Sequence, residues 1–210
     1  MIYRYLPLLF VALAAACSVK SEISRQFVAA VAKGDTARVN GLIARGADVN
    51  AREDAGSGRT ALIIAAEEDY ADIASVLVSR GADVNARSGD GSTALMNAAG
   101  EGNLEIARLL LSKGASVDEA DNTGQTALIK AAASGELEAV ELLLGAGAGL
   151  NSADRTGYTA IMKAMVNGHT DIASLLQQKG ASLTDANRRT IQQASSQAGQ
   201  GEEVLDPESK

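Results

Sequence analysis

The chain contains no tryptophan, two phenylalanines and four tyrosines among its 210 residues. A core without large aromatic side chains has to be built from alanine, leucine, isoleucine and valine. Hydrophobic residues make up 46% of the sequence, which is enough to form such a core. This composition favours closely packed small helices over a β-sandwich with aromatic anchors.

The chain has only one cysteine and one histidine, and its net charge is negative. The single cysteine, Cys17, excludes an intramolecular disulfide, and the single histidine, His169, leaves too few ligands for a His/Cys metal site. Lysine and arginine number 19 against 26 aspartate and glutamate residues, which gives a formal net charge of −7. Such an acidic chain is poorly suited to nucleic acid, which is bound through basic patches.

Motifs for catalysis are also missing. The cluster Gly145–Gly149 follows a predicted helix and precedes a turn, whereas a phosphate-binding loop follows a strand and opens a helix. The acidic run Glu67–Asp69 lacks the alternating oxygen ligands and central glycine of a calcium loop. We therefore predict a protein that is not an enzyme and that holds no cofactor and no metal.

The first segment, residues 1–16, has the composition of an export signal. Arg4 supplies a short positive start, and Leu6–Ala16 is an apolar run interrupted only by Pro7. The run is shorter than the roughly 20 residues that a membrane-spanning helix needs. It therefore predicts a signal peptide that takes no part in the fold.

The signal ends in small residues followed by Cys17 and resembles a bacterial lipobox, although Ala14 stands where leucine is usual. The resemblance implies that Cys17 is acylated and that residues 17–24 form a lipid anchor and tether. Ser18 would then favour the outer membrane over the inner one. Ordinary cleavage after Ala14 or Ala16 and an unprocessed leader remain alternatives.

The most informative feature is a repeat with a period of 33 residues. The pattern Gly-x-Thr-Ala-Leu/Ile begins at Gly58, Gly91, Gly124 and Gly157. A second pattern, Gly-Ala-x-Val/Leu-Asn/Asp, runs in phase and begins at Gly46, Gly81, Gly114 and Gly147. The step from the first to the second of these glycines is two residues too long, which indicates an insertion within Glu53–Ser57.

These patterns resemble the ankyrin repeat, whose signature T-P-L-H-x-A recurs every 33 residues. The first copy reads Thr60-Ala61-Leu62-Ile63-Ile64-Ala65, with alanine in place of proline and isoleucine in place of histidine. The resemblance implies an all-α solenoid of stacked helix–turn–helix units with projecting β-turn loops. It also implies that His169 makes structural hydrogen bonds.

The residue pattern supports the same fold. Each threonine of the signature is placed to cap a first helix, and glycine is placed to end each second helix. Leu62, Ala65 and Ala66 fall on one face of a first helix. The second helices carry apolar stripes of Ile73, Val76 and Leu77; Ile106, Leu109 and Leu110; Val140, Leu143 and Leu144; and Ile172, Leu175 and Leu176.

We expect the repeat domain to span residues 25–198, with about five repeats. The first, Arg25–Asn50, is degenerate, and Phe27 lies in core phase within it. A closing helix within Arg188–Ser196 is expected to cap the array, because the apolar face of the last repeat would otherwise be exposed to solvent. Residues 199–210 contain glycine, glutamine, glutamate and Pro207, a composition that predicts a disordered tail.

Ankyrin arrays usually bind proteins through their turn tips and the concave surface of their first helices, so the resemblance implies contacts at the matching positions. Tyr158, Arg59 and Arg155 are favoured because tyrosine and arginine predominate in binding hot spots. Glu67, Glu68 and Glu101 favour a partner with a basic face, although solvated side chains without a partner are the alternative for every candidate. The full set is Arg59, Glu67, Glu68, Asp90, Glu101, Gln125, Lys130, Arg155, Tyr158 and Lys163.

The sequence thus favours a monomeric, non-catalytic protein–protein interaction scaffold in the periplasm, held to a membrane of the bacterial envelope by its lipid anchor. Its partner is an unidentified protein, expected in the envelope or periplasm. The alternative is an accessory, activator or immunity-type factor that changes the activity of one envelope or periplasmic enzyme. A eukaryotic cytosolic protein with an incidental leader is a further alternative.

Overall fold

The computed structural model describes residues 21–53, 56–183, 188 and 191. Within these ranges the chain is helical, and its only β pairing consists of isolated antiparallel bridges at Arg52–Thr60, Ala120–Thr126 and Ala153–Thr159. The helices are α1 (21–31), α2 (Thr36–Ala44), α3 (Ala61–Glu67), α4 (Ala71–Ser79), α5 (Ala94–Gly100), α6 (Leu104–Ser112), α7 (Ala127–Ser134), α8 (Leu137–Gly145), α9 (Ala160–Val166) and α10 (Thr170–Gln178).

The start of α1 corrects one expected boundary. Residues 21–24, assigned to the tether from sequence, are helical. The side chain of Glu22 accepts hydrogen bonds from Arg25 at 3.0 Å and from Gln26 at 2.9 Å, and these one-turn contacts support the helix through that stretch. Cys17 with the leader, most of the closing helix and the tail lie outside the described residues.

Three of the four signature threonines cap a first helix as expected. The hydroxyl oxygen of Thr60 accepts a hydrogen bond from the backbone N–H three residues ahead at 3.3 Å, and Thr93 and Thr126 do the same at 3.3 Å. Thr159 does not make this bond. Its hydroxyl oxygen is buried without a hydrogen-bond partner among the described residues.

The described chain divides into two compact units. The first contains the described residues up to Ala98 together with Asn103–Ser116, and in it α4 packs against α2, α3 and α6. The second contains Ala99–Gly102 and the chain from Val117 onward, and in it α7 packs against α8 and α9 while α10 packs against α8 and α9. Each unit is therefore built from stacked helix pairs, as the repeat pattern predicts.

The first helices form the centre of the core. Every residue from Ala61 to Ala66 of α3 is buried, and so are Ala127, Leu128 and Ile129 of α7. Most side chains of these short helices are buried, so that large residues cannot fit at every position, which explains the many alanines. Phe27 is fully buried in α1, as predicted for the degenerate first repeat.

The second helices bury a narrower stripe than the sequence suggested. Leu77, Leu110, Leu143 and Leu176 are fully buried, whereas the predicted core residues Val76, Leu109, Leu144 and Leu175 are only half-buried. Each of these helices packs against its neighbours through one face. One edge of the packed face carries a small buried residue, such as Ala74 or Ala107. The larger side chains at the other edge therefore remain partly in contact with solvent.

Side chains in the loops after the second helices link successive repeats. In the first unit Asn50 accepts a hydrogen bond from the backbone N–H of Asp83 at 2.9 Å, and Asn85 accepts one from Ser116 at 2.8 Å. In the second unit Asp118 accepts from the N–H of Gly149 at 2.7 Å, and Asn151 accepts from Ser182 at 2.9 Å. These bonds satisfy loop N–H groups that lie outside any helix.

Candidate functional site

The residue before each signature threonine occupies the same backbone position in all four repeats. Its carbonyl oxygen accepts a hydrogen bond from the N–H of the residue that opens the turn. The donor–acceptor pairs are Glu53 to Arg59 at 2.9 Å, Ser88 to Ser92 at 2.9 Å, Asp121 to Gln125 at 3.0 Å and Asp154 to Tyr158 at 2.9 Å. The bond closes a longer turn in the first repeat, which carries the insertion, and the same shorter turn in the other three. Arg59, Gln125 and Tyr158 are half-buried at this position, whereas Ser92 is buried.

In the second unit an aspartate organises each turn. One carboxylate oxygen of Asp121 accepts from the N–H and hydroxyl of Thr123 at 2.8 and 2.7 Å and from the N–H of Gln125 at 3.0 Å. Its other oxygen lies 3.1 Å from Nζ of Lys130. Asp154 repeats this arrangement, and its second oxygen lies 3.2 Å from Lys163. Both lysines are thus held back against their own turns.

The sequence contained a signal for these pairs that the prediction of contact residues missed. Asp121 and Lys130 recur one period later as Asp154 and Lys163, whereas the preceding copy has Ser88 and Asn97 at the same two positions. The two positions change together between copies, which is what a direct contact produces. The sequence placed both lysines among the candidate contact residues, but each is about three-quarters buried at its side chain.

The ionisation of the two aspartates reflects their hydrogen bonds. Burial raises the pKa of Asp121, but hydrogen bonds from Thr123, Gln125 and Lys130 outweigh burial and hold the pKa below its ordinary value. The pKa of Asp154 is lowered by the same balance of burial against equivalent hydrogen bonds. Each carboxylate is therefore stabilised in its charged form in the folded protein.

The lowered pKa values predict a loss of stability in acid. A carboxylate whose folded pKa lies below its unfolded value of about 3.9 adds stability at neutral pH and loses that contribution as the pH falls through the folded pKa. The double variant Asp121→Asn/Asp154→Asn should lose about 2 kcal/mol of unfolding free energy at pH 7, about 1 per site. Urea unfolding at pH 2.5 should show the difference shrinking severalfold. The exposed Glu105→Gln is the control, and an equal gap at both pH values would contradict the interpretation.

The first unit contains a different ion cluster at the inserted turn. The guanidinium of Arg59 contacts the carboxylate of Glu53 at 2.8 Å and that of Glu67 at 2.5 Å. Ser57 also donates a hydrogen bond to Glu53, at 2.5 Å. Hydrogen bonding to Arg59 holds the pKa of Glu53 below its ordinary range, and Glu53 in turn raises the pKa of Arg59. Two of the predicted contact residues, Arg59 and Glu67, therefore neutralise each other.

Neighbouring turn tips within each unit are joined by backbone hydrogen bonds. The N–H of Gly89 donates to the carbonyl of Ser57 at 2.6 Å in the first unit, and the N–H of Arg155 donates to the carbonyl of Thr123 at 2.9 Å in the second. The side chain of Arg155 is exposed at its tip. Asp90 is exposed too, but its carboxylate accepts from the N–H and hydroxyl of Ser92 at 3.2 and 3.0 Å. These bonds order the tips before any partner arrives.

Tyr158 and Lys163 come together on the second unit. The ammonium of Lys163 lies 4.7 Å from the centroid of the Tyr158 ring, a distance suited to a cation–π contact. Tyr158 is half-buried, so that the lysine covers part of one ring face while the rest of the residue remains accessible. The half-buried Gln125 occupies the corresponding position one repeat earlier, without an aromatic ring.

The turns between paired helices present acidic side chains. Glu68, at the end of α3, and Glu101, after α5, are exposed. Asp69, which follows Glu68, has a positive φ of 56°. At the corresponding position the other repeats have glycines with positive φ, namely Gly34, Gly102, Gly135 and Gly168. Asp69 therefore keeps a carboxylate in a conformation that glycine adopts more easily.

Replacing Asp69 with glycine should stabilise the protein. Relief of the left-handed backbone outweighs the extra freedom of glycine in the unfolded chain, and we expect a gain of about 0.5–1 kcal/mol in unfolding free energy. Urea titration of Asp69→Gly measures it. Glu68→Gly serves as the control, because Glu68 has a φ of −91° and should only lose stability. A loss of stability in Asp69→Gly would refute the strain argument.

His169 lies against the preceding repeat of the second unit. The Nε2 atom of His169 lies 3.2 Å from the carbonyl oxygen of Ala133, so the ring makes a structural contact between repeats of the second unit. No group of three or more His, Cys, Asp and Glu side chains in the described ranges could hold a metal ion. None of the described helices is both long and apolar enough to cross a membrane.

Stacked helix pairs with a fixed turn and variable tip residues define a repeat protein of the solenoid class. A family model described as ankyrin repeats (3 copies) matches residues 27–121 and 114–190 of the chain. The chain therefore belongs to the ankyrin-repeat family, whose members generally mediate protein–protein interactions. A search of curated proteins found no match.

Proposed function

We propose that this protein is a non-catalytic scaffold that binds a protein partner through its turn tips and first-helix surfaces. The observation that carries the proposal is the repeated turn, closed by an equivalent backbone hydrogen bond in each copy, in which the half-buried Arg59, Gln125 and Tyr158 differ in chemistry. A scaffold that holds variable side chains in place suits recognition, because tips that are already ordered lose less entropy on binding.

The partner that best fits these surfaces has a basic face. The cations among the candidate residues are largely neutralised internally, Arg59 by two glutamates and Lys130 and Lys163 by aspartates. Glu68 and Glu101 are exposed, and Asp69 keeps its carboxylate at a strained backbone position. Strain that persists in a native structure is often retained for function. The acidic turns would therefore attract and orient a basic partner.

The test is crosslinking in intact cells followed by recovery of the protein and quantitative mass spectrometry. The variant Glu68→Lys/Glu101→Lys/Tyr158→Ala removes two exposed acids and the accessible tyrosine while leaving every turn-forming ion pair intact. One partner with a basic surface should be recovered with the wild type and reduced at least about tenfold with the variant, since hot-spot losses exceed 1.4 kcal/mol.

A matched control reverses two acids elsewhere. Glu105→Lys/Glu138→Lys changes exposed residues of α6 and α8 that belong neither to the turns between paired helices nor to the first helices. Recovery of the partner should be unaffected by this control. If both variants recover equally little partner, the loss is caused by the change in net charge and not by the turn surface. If Glu68→Lys/Glu101→Lys/Tyr158→Ala recovers as much partner as the wild type, the proposed surface is wrong.

We propose further that the scaffold works in the bacterial envelope, anchored through Cys17. The support is the sequence alone: an apolar leader followed by small residues and the only cysteine. Labelling with a radioactive fatty acid should mark the wild type and not Cys17→Ala, and the wild type should sediment with membranes. A chain that retains Met1, or one that takes up no label, would contradict this location.

A further inference from the structure

The second unit contains an open cleft at the ends of α8 and α10. It has a volume of about 450 Å³ and is lined by Leu144, Leu150 and Leu175 on its apolar part, by Gly145 and Ala148 in the loop, and by Glu141 and Lys179 at its rim. None of the candidate contact residues lines it. It is therefore a surface distinct from the proposed scaffold face.

Gly145 contributes no side chain to the wall of the cleft, at a position where two other repeats have serine. Gly145 ends α8, whereas α4 and α6 end in Ser79 and Ser112, whose hydroxyls bond to the carbonyls of Val76 and Leu109. A Cβ atom on Gly145 would meet nothing within 4 Å. Leu144 and Leu175 are only half-buried beside it, so apolar surface is left available for contact.

The charges at the rim differ in sign. Lys179 is exposed and makes no ion pair with any described residue, and Glu141 is exposed on the other helix. An occupant with an aliphatic centre and flanking acids would bury its centre on the leucines and place an acid at Lys179. The same occupant would be repelled by Glu141.

The chain itself carries such a segment outside the described residues. Residues 202–206 read Glu-Glu-Val-Leu-Asp, an aliphatic pair with acids on both sides. We propose that Val204 and Leu205 of this segment dock on Leu144 and Leu175, with a flanking carboxylate at Lys179. The segment would then occupy the cleft of its own molecule.

The tether is long enough for this contact. The last described residue, Ile191, is buried in the second unit, and Val204 follows it by 13 residues. Such a chain spans about 40 Å when extended, whereas a compact body of about 100 residues has a radius of gyration of only about 13 Å. Tethering also gives an effective concentration in the millimolar range, so a contact of modest affinity is well populated.

Methyl NMR of the full chain tests the proposal. Deleting residues 202–210 should shift the methyl signals of Leu144, Leu150 and Leu175 and leave those of the core residue Leu128 in place, which reports that the fold is intact. Val204→Ser/Leu205→Ser keeps the length of the tail and should produce the same shifts. Ser209→Ala, outside the docking segment, should produce none.

Two rim variants and one blocking variant sharpen the test. A peptide of residues 201–210, added to the deletion variant, should restore the original methyl signals. Lys179→Glu should weaken peptide binding, Glu141→Lys should strengthen it, and Gly145→Leu should abolish it by filling the cleft. Methyl signals that do not respond to the deletion, or rim variants that act in the opposite sense, would overturn the proposal without affecting the scaffold function.

Discussion

Replacing Gly124 with alanine should lower the free energy of unfolding by about 2–4 kcal/mol, because two costs coincide at this tip. Gly124 has a φ of 84°, which an L-residue adopts only with strain. A Cβ atom there would also lie 2.8 Å from the backbone nitrogen of Arg155, the atom that bonds to Thr123. Urea or thermal unfolding followed by circular dichroism measures the loss.

Gly157 offers a matched control one repeat further on. It has the same φ of 84°, but a Cβ atom there would meet nothing within 4 Å. Gly157→Ala should therefore lose only the conformational part, about 1–2 kcal/mol. If both variants lose the same amount, the close approach between neighbouring tips contributes nothing to stability.

Replacing Leu143 with alanine should lower the unfolding free energy by about 2–5 kcal/mol. Leu143 is fully buried in α8, which packs against α7 and α10, so the missing side chain leaves a cavity among helices that cannot close completely. Because stacked repeats depend on their neighbours, the loss should appear in the unfolding of the second unit as a whole. Denaturant unfolding monitored by circular dichroism gives the value.

The adjacent Leu142 separates burial from helix propensity. It lies in the same helix but is only half-buried, so Leu142→Ala should lose about 1 kcal/mol or less. Both substitutions place alanine, the best helix former, in the middle of α8. A similar loss in the two variants would mean that packing against the neighbouring helices does not dominate the stability of this unit.

Much of the fold could be predicted from the sequence because the same motif occurs in several copies, and each copy supports the same assignment of helices and turns. The threonine caps, the glycines that end second helices and the buried face of α3 each rest on interactions within a few residues. Gly81, Gly114, Gly147 and Gly180 all have positive φ, as their positions predicted. Thr159 departs from the pattern although its sequence context and backbone angles match those of Thr126, so the motif alone does not predict its missing cap bond.

The candidate site was less predictable, because its chemistry depends on contacts across turns. The two-residue insertion changes the spacing between Glu53 and Arg59 relative to the other repeats. Their ion pair therefore has no counterpart in the other copies and could not be found by aligning them. Lys130 and Lys163 looked like surface contacts, since a helix position alone does not show which way a long side chain bends. The role of the contact residues in binding stays a prediction.

The loop bonds between repeats also bear on how such a chain can change in length. Asp118 accepts from the N–H of Gly149, which lies 31 residues ahead. In the present chain the N–H of Ser182 bonds to the side chain of Asn151. If residues 124–156 were deleted, Ser182 would lie 31 residues after Asp118, the spacing that Gly149 has now. The carboxylate of Asp118 could then accept the hydrogen bond from Ser182. Losing or duplicating a whole period within the second unit thus leaves these loop donors with an acceptor, so recombination could shorten or extend this part of the array by one repeat at a time.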